Sequence, residues 1–302
     1  MVKVSVPGKV ILMGDHAVVY GKPGFIAAMN RRLTVSIEPH EMFTVVSDEP
    51  GAYVRHAVDV VVSHYKMVNL PNIQITVESN ILPGYHLGSS AAVAVATVGA
   101  CTYFLKKVWN PSVINQLAYE VEKYIHKTPS GVDTTAITFG GFLWYRKELE
   151  FLRSFWQLPI TVPSRLSHFY LIDTGRPKEN TGEMVAFVHS QYKLHSAHYK
   201  KLFDQNEDET KRIAVALKEG NEKVLVDAIR NGERTLEGMG VVSKKVLPII
   251  RSIEEAGGAA KILGGGGRTD GVGYLLCYSH NPPKGSEPIT LGEKGITLER
   301  NI

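Results

Sequence analysis

Two carboxylates, a lysine, a histidine and a pair of serines stand where an otherwise apolar chain breaks, and their spacing points to chemistry on phosphate. Glu122 falls near the end of a helical pattern, and Asp133 follows the turn Pro129-Ser130-Gly131-Val132. Carboxylates placed so could divide labour. One would hold Mg2+, a hard cation that takes one or two carboxylates plus phosphate oxygens, and the other would meet an attacking hydroxyl. Lys9 comes directly after Pro7-Gly8, and Asp15-His16 interrupts an apolar run, Val10-Ile11-Leu12-Met13 before it and Ala17-Val18-Val19-Tyr20 after it. Ionisable groups at such interruptions form a site or a salt bridge.

The remaining partner is Leu82-Pro83-Gly84-Tyr85-His86-Leu87-Gly88-Ser89-Ser90-Ala91, which leads out of an alternating run (Ile73, Ile75, Val77) into a long stretch of Ala and Val. That reads as strand, turn and helix start. A helix N-terminus has unpaired N–H groups and partial positive charge, so a glycine turn leading into one is a ready place for phosphate. Ser90 could hold a metal or a phosphate oxygen there. Taken singly, each residue has a plainer use: Ser89 as an N-cap, Glu122 as a solvated helix residue beside Lys123, Asp133 as a cap or turn residue. Lys9 alone would be a surface lysine, His16 a packed histidine and Asp15 a salt-bridge partner. Their joint presence favours a site.

The elements that must position these residues follow from periodicity and turn chemistry. Residues 2–6 alternate and read as a strand that stops at Pro7-Gly8. Residues 33–38, 43–46 and 72–77 read as further strands, with a helix over 53–68 between the last two. The central helix is expected to run from Ser89 to about Lys106-Lys107, where cations suit the negative end of the dipole. Pro111 opens another helix, with Ile114, Leu117, Ala118 and Val121 on one face, ending near His126. Residues 140–145 read as a return strand. A change of texture over 158–167, with Pro159 and Pro163, sets an expected domain boundary, giving 1–160 and 161–302. Beyond it, 169–173 reads as a strand and 179–257 as helix broken near Asn206, Gly220 and Gly240. The chain then closes with strands over 260–263 and 272–278 and short extended pieces near Ile289 and Ile296. Strands flank the helices of the second half instead of alternating with them, which predicts α+β rather than a doubly wound sheet.

Composition bounds the function. With 302 residues, 44% hydrophobic and 21% charged, the chain reads as soluble and globular, long enough for two domains. A net charge of +4 without a dense Lys/Arg block gives nucleic acid little support and leaves anionic small substrates welcome. Cys101 and Cys277 both lie in apolar runs, as expected of reduced thiols in a cytoplasmic protein. The start, Val2-Lys3-Val4-Ser5-Val6, predicts no secretory signal, and residues 91–100 are too short to span a membrane. There is no G-x-x-x-x-G-K-[ST] and no G-x-S-x-G. The run Gly264-Gly265-Gly266-Gly267 does not fit G-x-G-x-x-G, which removes a Rossmann fingerprint.

Taken in order, Pro7-Gly8-Lys9-Val10-Ile11-Leu12-Met13-Gly14-Asp15-His16-Ala17-Val18-Val19-Tyr20-Gly21, residues 83–92, Pro129-Ser130-Gly131-Val132-Asp133 and the late glycine run resemble the galactokinase, homoserine kinase, mevalonate kinase and phosphomevalonate kinase (GHMP kinase) superfamily. The first motif is most similar to the mevalonate kinase branch. The resemblance implies a two-domain α+β fold with a mixed-sheet N-terminal nucleotide-binding domain and a helix-rich C-terminal substrate-side domain. It implies ATP as co-substrate, held by Pro83, Gly84, His86, Leu87, Gly88, Ser89, Ser90 and Ala91, with Mg2+ on Ser90 and Glu122. It makes Asp133 the base and Lys9 the cation at the reacting phosphate, with Asp15, His16, Thr181 and Gly265 on the substrate side. The implied reaction is phosphorylation of the primary hydroxyl of mevalonate, in isoprenoid precursor synthesis; the competing readings are a sibling kinase acting on phosphomevalonate or another small alcohol and a non-catalytic ligand-binding relative, and a homodimer is compatible with the family.

Three departures from that pattern stand out. Asp15 replaces a Glu one methylene longer. His86 replaces a small residue where backbone normally approaches phosphate. The late motif, usually Ser/Thr-G-A-G-G-G-G, has Leu263 in place of the hydroxyl and Arg268-Thr269-Asp270 after four glycines.

Overall fold

The computed structural model describes residues 1–48, 50–126, 129–149 and 151–299. The alternating start does become a strand, but Pro7-Gly8 does not end it. β1 runs Val2–Met13 and crosses the pair on a bulge, its register against the next strand shifting between Pro7 and Gly8. Pro lacks a ladder donor and a bulge tolerates that lack, so the expected turn is absorbed into the strand. The consequence is that Lys9 sits inside a strand, on a rigid element.

β2 (Gly24–Pro39), of 16 residues, is more than twice as long as the strand expected over 33–38. Its first half, Gly24-Phe25-Ile26-Ala27-Ala28-Met29, is buried at every position and so shows no alternation to read. It pairs with β1 along its length, with β5 (Phe142–Lys147) over Gly24 to Ala27, and with β4 (Ile73–Ser79) over Leu33 to Pro39. With β3 (Thr44–Val46), β6 (Arg153–Leu158) and β11 (Thr297–Glu299), these make a seven-stranded mixed sheet among the described residues, β3 lying parallel to β4. β11 returns from the end of the chain to pair with β1.

Three helices cover this sheet: α1 (Gly51–His64), α2 (Ser89–Lys106) and α3 (Pro111–Glu122). α2 is long and apolar enough to cross a membrane, yet every residue from Ala91 to Thr102 is buried in the protein, packed on β1 and β2 by small side chains. α3 stops at Glu122, one turn before the expected end. A further short helix, α4 (Val132–Phe139), lies where a turn was expected. Its Thr134, Thr135, Ile137 and Thr138 are weak helix formers, so the sequence gives little helical signal.

The second half builds a four-stranded antiparallel sheet, ordered β10 (Glu287–Pro288), β7 (Phe169–Asp173), β9 (Tyr274–Tyr278) and β8 (Ala259–Ile262). Between β7 and β8 run α5 (Thr181–Leu194), α6 (Ser196–Glu219), α7 (Glu222–Gly238) and α8 (Leu247–Glu255). The break expected at Asn206 is absent. It falls at His195 instead, and Asn206 is fully buried inside α6, donating from Nδ2 to Thr235 Oγ1 at 2.7 Å. An internal partner for the amide removes the reason for a polar residue to end the helix. The whole is the expected α+β arrangement, with a mixed first sheet and a helix-rich second half. Cys101 and Cys277 are buried and free.

Candidate active site

Four chemistry-bearing residues from four different segments meet. Lys9, 2% exposed on β1, places Nζ 3.1 Å from Asp133 Oδ1 and donates to the His86 carbonyl at 3.0 Å. Asp133 lies in the first turn of α4, where a carboxylate suits the helix dipole, and more than a third of its side chain remains open. The turn before it is held by two phenols: Tyr119 donates to the Pro129 carbonyl at 3.2 Å and Tyr145 to the Ser130 carbonyl at 2.5 Å. The early stop of α3 puts Glu122 at a helix end, buried, with Tyr53 donating to Oε1 at 2.5 Å. Burial raises the Glu122 pKa, the nearby Asp133 charge adds to that, and hydrogen bonds from Tyr53 and Ser90 oppose it. Ser90, Glu122, Asp133 and Lys9 therefore form one group.

Gly88 sits at the left-handed N-cap of α2, with φ of 83° and no side-chain cap on the helix. A Cβ there would meet Ile137 Cδ1 at 3.0 Å and Lys9 Cγ at 3.1 Å, so glycine is required by both conformation and space. The N-terminus of α2, with its partial positive charge, opens next to Lys9, an arrangement that suits an anionic phosphate. Leu87 and Ala91 are buried supports, and Ser89 is buried at the helix start. Upstream, the Arg176 guanidinium lies over Gly84 of the Pro83-Gly84 turn.

A second set closes the other side. His86, with φ of 63°, turns its ring onto the late glycine run, and a Cβ on Gly264 would come within 2.7 Å of the His86 Cβ. Thr181, opening α5, has Oγ1 3.4 Å from His86 Nδ1. Burial and the Lys9 charge hold the His86 pKa down, at about 4, so its imidazole is neutral. His16 is buried and also has a positive φ, of 59°, its Nε2 3.1 Å from the Gly265 carbonyl. Burial lowers its pKa too, against the opposing Gly265 carbonyl and Asp15. His86 links the sets, its carbonyl on Lys9 and its ring on the glycine run.

The Asp15 carboxylate is not part of this opening. It is buried behind it, Oδ1 accepting from the Gly264 N–H at 2.8 Å and Oδ2 lying 2.7 Å from Lys261 Nζ. Arg268 stacks on the Phe187 ring at 3.8 Å, away from the group. A surface hollow lined by Tyr20, Lys22, Arg146 and Lys147 lies elsewhere.

The donor set fits a hard divalent cation. It offers a hydroxyl and a carboxylate whose ionised form is disfavoured by burial until a cation compensates it. Among the described residues no three His, Cys, Asp or Glu cluster as a metal cage, as suits a cation that draws most of its ligands from phosphate and water. Sequence reasoning missed Tyr53, Tyr119, Tyr145 and Lys261. The three tyrosines carry no local signal, since Tyr53 acts across 69 positions and Tyr119 and Tyr145 bond backbone carbonyls 10 and 15 positions away, and Lys261 lies in a run that reads as an ordinary strand.

The chain is similar to known proteins along its length. A family model described as the GHMP kinases N terminal domain matches residues 52–141. The mevalonate kinase of Archaeoglobus fulgidus is 32% identical over 98% of this chain and 99% of that protein. Among solved structures, the Lin0012 protein of Listeria innocua superposes with a TM-score of 0.81 at 20% identity, covering 99% of this chain and 100% of that one. The L. major mevalonate kinase in complex with R-mevalonate superposes with a TM-score of 0.76 at 23% identity, covering 92% and 87%.

Proposed function

We propose, from the premise that the chain belongs to the GHMP kinase superfamily as a member of its mevalonate kinase family and is an ATP-dependent kinase, that it transfers the terminal phosphoryl group of ATP to the primary hydroxyl of mevalonate. The acceptor oxygen bonds to the γ-phosphorus, the bond to the β–γ bridging oxygen breaks, ADP leaves, and the hydroxyl proton passes to Asp133. Such transfer is mostly positioning and charge neutralisation, so the parts needed are few. Lys9 supplies a cation at the transferred group and holds Asp133 in place. The first turn of α2, entered through residues 83–88, receives the phosphates. Ser90 and Glu122 would hold Mg2+, with Tyr53 orienting the carboxylate; when bound, the ion supplies positive charge against the phosphate oxygens.

His16, Thr181 and Gly265 line the acceptor side in this reading, with Asp15 acting from behind through Gly264. The two buried free thiols accord with a cytoplasmic setting. The observation that carries the reading is the Lys9–Asp133 pair at 3.1 Å beside Ser90 and Glu122. A sibling acting on phosphomevalonate would need further cations for the extra phosphate. Of the nearby ones, Lys178 is paired with Asp270 at 2.8 Å, and Arg176 lies over Gly84, on the nucleotide loop rather than on the acceptor side.

A coupled ADP-release assay over mevalonate, phosphomevalonate, homoserine and galactose tests the substrate. Turnover is expected with mevalonate and not with the others. Turnover with another of these acceptors and none with mevalonate removes the reading.

A further inference from the structure

Behind the site lies a charged group that the proposed chemistry does not use. Lys261 on β8 has no exposed side-chain surface, yet its ammonium reaches the other sheet, donating to the Ile11 carbonyl of β1 at 3.0 Å and pairing with Asp15 Oδ2 at 2.7 Å. It also donates to the Ile262 carbonyl. Glu233 of α7, fully buried, accepts from the Ile262 N–H at 3.0 Å through Oε2, while Oε1 has no hydrogen-bond partner among the described residues.

One ammonium thus faces two carboxylates where water is excluded. With both ionised the group would be net negative, which burial penalises heavily. Burial accordingly pushes the Glu233 carboxyl up to about 8, with Glu237 and Asp15 adding to the rise and Lys261 opposing it. Arg251 on α8 also acts on Glu233 electrostatically. The two ends of the Asp15 carboxylate have different tasks. Oδ2 is tied to Lys261 and Oδ1 to the Gly264 N–H, and the next residue, His16, contacts the Gly265 carbonyl.

We propose that Lys261 is a positioning residue: paired with Asp15 and bonded to the Ile11 and Ile262 carbonyls, it holds the turn bearing His16 and the turn of residues 264–267 in register across the two sheets. It thereby sets the acceptor side of the site while touching neither substrate. The inference rests on the reading of His16, Gly265 and Thr181 as that side. The nucleotide loop meets this network only through the His86 ring on the glycine turn, whereas His16 is bonded to that turn and adjoins Asp15, so the acceptor side should respond more strongly to its loss.

Lys261→Met, and Lys261→Met with Asp15→Asn so that no carboxylate is stranded, are compared with the parent chain for KM of mevalonate and KM of ATP. A displacement of about 1 Å can lower a rate by about 10²-fold, so KM for mevalonate should rise roughly tenfold or more while that for ATP stays within about threefold. Equal changes in the two constants, or no change, in a folded variant overturns the assignment.

Melting against pH gives a readout free of turnover. The folded chain holds the Glu233 proton more tightly than the unfolded chain does. Raising the pH from the ordinary value of 4.5 to about 8 therefore removes stability, and Glu233→Gln should flatten that slope. A slope unchanged in Glu233→Gln shows that Glu233 is not held protonated beside the Lys261–Asp15 pair and overturns this account of the buried group, and Asp15→Asn alone, read by the same two KM values, decides if neither Lys261 variant folds. Failure of the parent chain to use mevalonate instead removes the substrate reading and leaves the melting result standing.

Discussion

Asp133→Asn is expected to lower kcat by roughly 10² to 10⁴-fold, the range that a positioned general base contributes, while nucleotide affinity stays within about threefold of the parent. The amide has nearly the same shape and keeps a hydrogen-bond acceptor toward Lys9, so the loop and the first turn of α2 are undisturbed. What it lacks is a group able to take the hydroxyl proton at the moment the phosphoryl group moves. Asp133 also keeps 37% of its side chain exposed, whereas Lys9 and Glu122 are buried, and so it is placed to meet an incoming acceptor. Stopped-flow or coupled measurement of kcat beside titration with a fluorescent nucleotide separates the two effects. Turnover within a few-fold of the parent value contradicts the assignment of the base.

Lys9→Met should be nearly as damaging for a different reason. Preorganised charge at the reacting group is worth about 10² to 10³-fold in kcat when one donor is lost. Here the loss is compounded. Lys9 is 2% exposed and joins three parts: its own strand, Asp133 of α4 and the His86 carbonyl of the nucleotide loop. Without it Asp133 loses the cation that fixes its orientation, and the nucleotide loop loses its tie to β1. The variant should therefore show a much lower kcat. A folded variant, judged by its melting curve, that keeps its rate within about fivefold removes Lys9 from the chemistry.

Much of this site could be read from residue order because turn chemistry marks itself locally. Pro129-Ser130-Gly131 before Asp133, and Gly88-Ser89-Ser90 before an Ala/Val run, each announce a backbone feature within a few residues, and the structure places them at the starts of α4 and α2. Glu122 and Asp133 were legible as a pair for the same reason. The residues that hold the site in shape were not. Tyr53 meets Glu122 across 69 positions, and Lys261 meets the Ile11 carbonyl across 250, distances at which spacing carries no signal.

The fold shows the same division. Half-buried strands such as β4 alternate and were readable, whereas the fully buried first half of β2 and the threonine-rich α4 were not. Asp15 is instructive in the other direction. Taken alone it reads as a salt-bridge partner, and the structure does give it Lys261.

The most direct measurement is a crystal structure of the chain with Mg2+, a non-hydrolysable ATP analogue and mevalonate bound together. The expected result places the primary hydroxyl within about 2.6–3.2 Å of the Asp133 carboxylate, with the terminal phosphate between Lys9 and the first turn of α2. Mevalonate seated away from Asp133, for instance in the hollow beside Tyr20, Lys22, Arg146 and Lys147, or phosphates that leave Lys9 and Ser90 untouched, would contradict it.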